Sequence, residues 1–514
     1  MVITLGASTS KLTGEKAFLD LVYSHFSFKD KGAESELRRL KDSIFYKERS
    51  FNGDAPDWFP EWKEKSLKAA KDAVHVFCCR FDGATLIVPT GLVPSLMNLA
   101  KEKSISIAVQ DERNFDLPRR ILKGQAPPAL RRPQIEAIAI YLGEKENYKR
   151  GLGLIKHSTG TGKSLLSQMI IQKLGLRTIF LVPSVSILKQ MVRRFEMAFG
   201  KKNVSGYGGG KKGLGYITVA TYQSVNLAPE GTFDEFDMVV SDETHKSGAE
   251  TFYDAVTNKL KNAVYRLSLT AYEERADGGT MLVEAGCGPI IHEYNAPEAI
   301  ADGYLAKPTF MVYDVWSTKG TWMKYKMKDG KRTAIGAEPS VEYDGDDDLK
   351  AYRNWMLGND KLNAFVAAAI GSFVEDGKSI LVLVDEKEHA ERLVKLLPDA
   401  GFAFGGGKDN EQLLKSFNQR KLKVLIGTSC LGEGTDTIPV DVLFNLQGGA
   451  SKSRTLQATG RALRNETDEN GVAQKPTTLV IDFNFPLSKM LTRHYQVREK
   501  IYKEMGEVLR GKLI

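Results

Sequence analysis

The run Ser158-Thr159-Gly160-Thr161-Gly162-Lys163-Ser164 follows an apolar stretch at 152–155 and precedes a helical pattern at 165–174. That order suits a phosphate-cradling loop. Glycines let backbone N–H groups turn inward around a phosphate, and the helix N-terminus adds its dipole. A lysine then reaches the β- and γ-phosphates, and a hydroxyl holds Mg²⁺. The full spacing of such a P-loop asks for glycine five residues before Gly162, where this chain has His157. Taken by itself, the motif has a plainer reading as a Gly-rich turn capping a helix.

A second cluster narrows the choice. The apolar run Met238-Val239-Val240-Ser241 leads into Asp242-Glu243-Thr244-His245. A carboxylate at the C-terminal end of a buried parallel strand sits beside a P-loop, where Asp242 can hold Mg²⁺ together with Ser164. The adjacent Glu243 is placed to orient or deprotonate an attacking water. An isolated Asp-Glu pair is normally a solvated turn; an apolar strand and a P-loop in the same region argue against that here.

The elements that must position these groups are legible as texture. Short, nearly continuous apolar runs at 178–182, 216–220, 238–241 and 266–269 alternate with helical patterns, as strands buried on both faces do. A second alternating region carries such runs at 379–384, 423–426, 442–446 and 478–481. The expected fold is therefore α/β, with two lobes built on parallel sheets. Residues 1–125 are expected to form a small α+β N-terminal domain, 126–306 the first lobe, 307–490 the second, and 491–514 a basic C-terminal helix. The basic, proline-bearing stretch 113–132 reads as a linker, 206–212 as a flexible loop, and 344–348 as a solvated acidic loop.

Composition sets bounds. The chain has 514 residues, enough for about three domains at roughly 150 residues each. Lys and Arg exceed Asp and Glu by 72 to 64. That excess permits a nucleic-acid partner without demanding one. Four cysteines form no zinc spacing and no C-x-x-C pair, which fits a reducing compartment rather than a disulfide framework. No basic-then-apolar leader and no run of 18 apolar residues is present, so a cytoplasmic protein with no membrane partner is expected.

With both phosphate-site clusters in view, the chain resembles the superfamily 2 helicases of the DEAH/DExH type, whose second motif reads D-E-x-H. Further motifs follow in order. Leu130-Arg131-Arg132-Pro133-Gln134 with Ala137 is similar to the glutamine motif that reads adenine. Leu181-Val182-Pro183-Ser184 with Gln190 is similar to motif Ia, and Ala220-Thr221-Tyr222-Gln223-Ser224 to motif Ib. Leu267-Ser268-Leu269-Thr270-Ala271 resembles motif III. Gly427-Thr428 with Gly432-Glu433-Gly434-Thr435-Asp436 resembles motif V, and Gln457-Ala458-Thr459-Gly460-Arg461-Ala462-Leu463-Arg464 matches motif VI. Within the superfamily the likeness is greatest to the XPB-like and phage UvsW-type branch-migrating helicases, on Ala299–Leu305 and the ending 493–506. The stretch 79–113 resembles the small DNA-binding domain that precedes the motor there.

The resemblance implies two tandem RecA-like lobes with ATP between them, and DNA as partner: forked, branched or single-stranded. Gln134, Thr159, Gly160, Thr161, Gly162, Lys163, Ser164, Gly434 and Asp436 would bind ATP. Lys163, Asp242, Glu243, Arg461 and Arg464 would be catalytic. His245, Thr270 and Gln457 would couple the ATP site to the nucleic-acid side. Ser184, Gln190, Thr221, Gln223 and Thr428 would contact the nucleic-acid backbone; each alone also reads as a helix cap or turn. An RNA remodeller, an ATP-regulated strand-annealing protein, and the motor of a defence complex are alternatives. Single-strand-binding or recombination proteins are candidate partners. Basic residues of the C-terminal helix, Arg498 among them, would either touch duplex phosphates or pack with their charges solvated.

Overall fold

In a computed structural model the described residues are all except 51–57, 126–127, 144–145, 245–247, 272–278, 317–320, 329–330, 340–350, 429–438, 466–474, 476 and 514. They form two compact units. One holds Met1–His157 and Gly162–Tyr294, and the other holds Asn295–Ile514 with Ser158–Thr161.

The first unit opens with a five-stranded sheet in the order Arg80–Asp82, Thr85–Pro89, Thr9–Thr13, Val2–Leu5, Ala108–Asp111. Alternation puts Leu12, Leu86 and Val88 on a face covered by the helices Lys16–His25 and Val93–Glu102. The same core takes in Ala249, Leu282 and Ala285 from much later in the chain. A Cβ on Gly91 would lie 2.1 Å from the Glu284 carbonyl oxygen, so only glycine permits this approach. Arg266 locks the junction. Its guanidinium is fully buried and donates to the carbonyls of Ala7 (2.9 Å), Val256 (2.7 Å) and Leu260 (2.9 Å). Burial lowers its pKa to about 10, which still leaves it protonated at neutral pH.

The stretch 113–132 is not a free linker. Arg113 is buried against Asp111 at 2.9 Å, Arg120 N–H donates to Gly175 O, and Leu122 enters the main core. The apolar residues Phe115, Leu117 and Leu122, interleaved with the basic ones, fasten it down.

The main sheet of this unit has eight strands, in the order Lys211–Lys212, Val204–Gly208, Ile217–Thr221, Thr178–Val182, Met238–Asp242, Tyr265–Thr270, Leu152–His157, Ile290–Tyr294. All neighbours are parallel except the short Lys211–Lys212 pair. Apolar cores lie on both faces, which is why these strands lack polar alternation. The segment 206–212 departs from the expected loop: it finishes a strand and turns through Gly209 and Gly210, both at positive φ, into a hairpin.

The second unit carries seven parallel strands, in the order Gly401–Ala403, Val424–Gly427, Ile380–Val384, Val442–Leu446, Thr477–Asn484, Lys307–Val315, Glu507–Leu513. Between the strand Lys307–Val315 and the rest of this sheet the chain forms a two-stranded hairpin, Thr321–Lys328 with Lys331–Pro339. The acidic run 344–348 lies outside the described residues.

The expected C-terminal helix is corrected here. The C-terminus is not a helix to its end: the helix Lys489–Met505 stops at Gly506, and Glu507–Leu513 adds an edge strand beside Lys307–Val315. A Cβ on Gly506 would meet the Pro308 carbonyl oxygen at 2.3 Å. Glycine therefore lets the turn close onto the sheet. Among the described residues no helix is long and apolar enough to cross a membrane.

Candidate nucleotide and nucleic-acid site

The groups singled out in the first lobe share one edge of the eight-stranded sheet. The P-loop follows Leu152–His157, the acidic pair follows Met238–Asp242, and Tyr265–Thr270 lies between these strands. Register places Asp242 opposite Leu269, and Thr270 opposite Lys156. Carboxyl ends of parallel strands are where such sheets bind ligands.

The loop has P-loop geometry. Gly160 (φ +88°) and Gly162 (φ +89°) are both left-handed, and the helix Lys163–Leu174 starts immediately after them. Lys163 Nζ donates to His157 O at 2.9 Å, and Thr161 Oγ1 to Ser158 O at 2.7 Å. Gln134, on the helix Arg132–Leu142, spans two partners. Its Oε1 accepts from Arg131 N–H at 2.9 Å, and its Nε2 donates to Gly162 O at 3.3 Å. A Cβ on Gly162 would lie 2.3 Å from that Nε2. Gly162→Ala is therefore expected to weaken ATP binding at least about tenfold, since it strains a left-handed residue by about 1–2 kcal/mol and displaces Gln134. Titration with a fluorescent ATP analogue checks this; wild-type affinity would contradict it.

Asp242 is nearly buried, and its Oδ1 accepts from Glu243 N–H at 3.0 Å. Glu243 itself sits at φ +50°. A non-glycine residue in that region costs of order 1–3 kcal/mol and is held there by its surroundings, as at many reactive sites. Tyr222 OH donates to Asp242 O at 3.0 Å, tying the motif Ib helix to the acidic pair. Thr244 is buried with Ser268 Oγ 3.4 Å from its hydroxyl, so motifs II and III are joined by side chains.

Ser184 and Thr221 occupy N-cap positions. Ser184 Oγ accepts from Ile187 N–H at 3.4 Å, and Thr221 Oγ1 from Ser224 N–H at 3.3 Å. Both hydroxyls thus organise helix starts at the strand ends. Gln223 is exposed, and Gln190 is half-buried on the helix Val185–Phe199. His245, Gly434 and Asp436 lie outside the described residues.

In the second lobe, Gln457 and Arg461 lie on the helix Lys452–Ala462, and Arg464 follows it in an antiparallel bridge with Leu305. Arg461 is buried and Arg464 half-buried. Thr428 follows the strand Val424–Gly427, and its N–H donates to Ala403 O at 3.3 Å.

Residues that the motif reading missed hold this helix. Asp385 Oδ2 accepts from Gly448 N–H at 2.8 Å, and its Oδ1 lies 3.3 Å from Arg454 Nη1. Burial raises the Asp385 pKa. Lys475 Nζ donates to the carbonyls of Ala462 and Val440, tying the end of motif VI to the segment just before the strand Val442–Leu446; burial lowers its pKa to about 8. Arg498 is not a phosphate contact. It is buried, with Nε 2.7 Å from Asp482 Oδ2 and Nη1 3.0 Å from Gly449 O. Of these residues only Asp385 carried a signal in the sequence, as a carboxylate ending an apolar run; Lys475 sits in a polar stretch and Arg498 among other charges.

Residues 128–275 match the family described as "Type III restriction enzyme, res subunit", and residues 360–466 match "Helicase conserved C-terminal domain". The chain is a superfamily 2 helicase. Members of that family are ATP-hydrolysing nucleic-acid helicases. This helicase is similar to the DNA 3'-5' translocase XPB2 of Sulfurisphaera tokodaii, at 26% identity over 71% of this chain and 84% of that protein. It is also similar to the DNA 3'-5' helicase XPB of Mycobacterium tuberculosis, at 27% identity over 62% of this chain and 56% of that protein. Among solved structures, a variant of S. cerevisiae Dbp5 bound to RNA and ADP BeF3 is similar in fold. Its TM-score is 0.50 at 16% identity, covering 74% of this chain and 90% of that one. The helicase's two lobes are the RecA-like pair that the motif order implied.

Proposed function

We propose that this helicase is an ATP-driven DNA translocase that unwinds or branch-migrates forked and junction DNA. One observation carries the reading: a P-loop and an acidic pair share the C-terminal edge of one parallel sheet, in a chain similar over most of its length to a DNA 3'-5' translocase.

The chemistry follows from the side chains. Lys163 releases the His157 carbonyl and takes the β- and γ-phosphate oxygens. Ser164 and Asp242 offer a hydroxyl and a carboxylate, hard oxygen donors of the kind Mg²⁺ accepts. When bound, Mg²⁺ neutralises charge on the transferred phosphoryl. Glu243 takes the proton of the attacking water, and Arg461 and Arg464 stabilise the charge that develops. Gln134 reads the adenine. Lobe closure would then gate hydrolysis, and lobe opening after phosphate release would shift the grip on the strand. Thr270, Gln457 and His245 would carry that change to Ser184, Gln190, Thr221, Gln223 and Thr428. Such backbone contacts fix register without reading sequence, as a translocase needs. We place this activity in the cytoplasm, in DNA repair, recombination or replication, beside single-strand-binding or recombination proteins.

The test is steady-state ATP hydrolysis by wild type and Lys163→Ala, at one fixed salt concentration because phosphate-dominated binding is salt-sensitive. The panel is no nucleic acid, single-stranded DNA, duplex DNA, a four-way DNA junction and structured RNA. The expected result is strongest stimulation by the junction, lost in Lys163→Ala. Stimulation by RNA alone would replace the proposal with RNA remodelling.

A further inference from the structure

His157 stands where a P-loop of this spacing carries glycine, and its side chain is fully buried at the end of Leu152–His157. Its Nε2 lies 2.8 Å from Nδ1 of His292. His292 comes from the neighbouring edge strand Ile290–Tyr294, whose register shifts between Ile290 and His292. A bulge of this kind re-aims a side chain and is enriched beside reactive sites. His292 Nε2 in turn faces Glu136 Oε2 at 3.8 Å. Glu136 lies on the helix Arg132–Leu142, two residues from Gln134.

That helix therefore meets the phosphate loop twice: at Gly162 through Gln134, and at its root through Glu136, His292 and His157. The root is also where Lys163 rests, on the His157 carbonyl. We propose that His157, His292 and Glu136 are positioning residues of the nucleotide site. Their chain of polar contacts fixes the adenine-reading helix against the phosphate loop, so that base recognition and phosphate binding are set together.

The chain has a direction. Burial, then the nearby His292 and Lys163, lower the His157 pKa to about 3, so its ring is neutral, with one donor and one acceptor nitrogen. His157 Nδ1 is buried with no hydrogen-bond partner among the described residues, which makes it the bare acceptor. Nε2 therefore carries the proton and donates to His292 Nδ1. His292 Nε2–H is left pointing at the Glu136 carboxylate. A glycine at position 157 would have none of these links.

This inference rests on the assignment of the Lys163 site to ATP, and the experiment separates the two. His292→Leu removes both contacts at similar volume, and Glu136→Ala removes the outer one from a half-exposed helix position. Each is expected to raise KM for ATP and to narrow the ATP-over-GTP preference in kcat/KM, by about tenfold for His292→Leu and less for Glu136→Ala, with kcat within about twofold. Glu136→Gln keeps an acceptor toward His292 and is expected to restore the wild-type KM. A purely structural role would lower thermal stability without moving the base preference. If His292→Leu does not fold, Glu136→Ala and Glu136→Gln decide. Should Lys163→Ala hydrolyse ATP like wild type, the site assignment fails. Should Lys163→Ala be inactive while folded His292→Leu or Glu136→Ala keeps KM and base preference, the positioning network alone is overturned.

Discussion

Arg464→Ala is expected to lower kcat for ATP hydrolysis by about 10³-fold or more, with ATP binding close to wild type. A guanidinium that stabilises charge only as the phosphoryl group transfers contributes to kcat and little to ground-state affinity. The backbone of Arg464 is fixed independently of its side chain, by the bridge to Leu305 and by Ala306 N–H donating to Leu463 O at 2.8 Å. The helix before it is capped by Ser451 Oγ and anchored through Arg454 to Asp385. The substitution should therefore remove the charge and leave the scaffold. Arg464→Lys restores little, because an ammonium lacks the planar fork. Single-turnover hydrolysis beside fluorescent-nucleotide binding reads both quantities. A kcat within threefold of wild type would remove Arg464 from the mechanism.

Arg498→Ala is expected to destabilise the second lobe by about 3–5 kcal/mol, since it leaves a buried carboxylate without its cation. Asp482 accepts two bonds from Arg498, at 2.7 Å to Nε and 3.1 Å to Nη2, and one from Tyr502 OH at 2.8 Å. The same guanidinium donates to Gly449 O, and His494 Nδ1 donates to Gly448 O at 2.8 Å. Both bonds fix the turn that leads into the motif VI helix. Loss of stability should thus be accompanied by loss of hydrolysis in the fraction that remains folded. Arg493→Ala, exposed on the same helix, changes stability by less than about 0.5 kcal/mol. Urea unfolding of the two variants makes the comparison. Equal midpoints would show that the buried pair contributes nothing net, and weaker DNA binding at wild-type stability would return Arg498 to the surface role its charge suggested.

The amino-acid order alone determined the phosphate loop, the acidic pair and the two parallel-sheet lobes. Each is written in consecutive residues: two left-handed glycines before Lys163, carboxylates ending an apolar run, and strands whose burial on both faces removes polar alternation. Tertiary structure decided what those local patterns do not encode. Glu507–Leu513 became a strand because Lys307–Val315 offers an open parallel edge about 200 residues earlier in the chain. Arg498 looked like surface charge until Asp482 met it. Stretch 113–132 looked like a linker until its interleaved apolar residues found the core. His157 acquired a role only through His292, 135 residues away in the chain, re-aimed by a bulge. A buried polar side chain is stable only with its partner, and folding, not neighbouring sequence, chooses that partner.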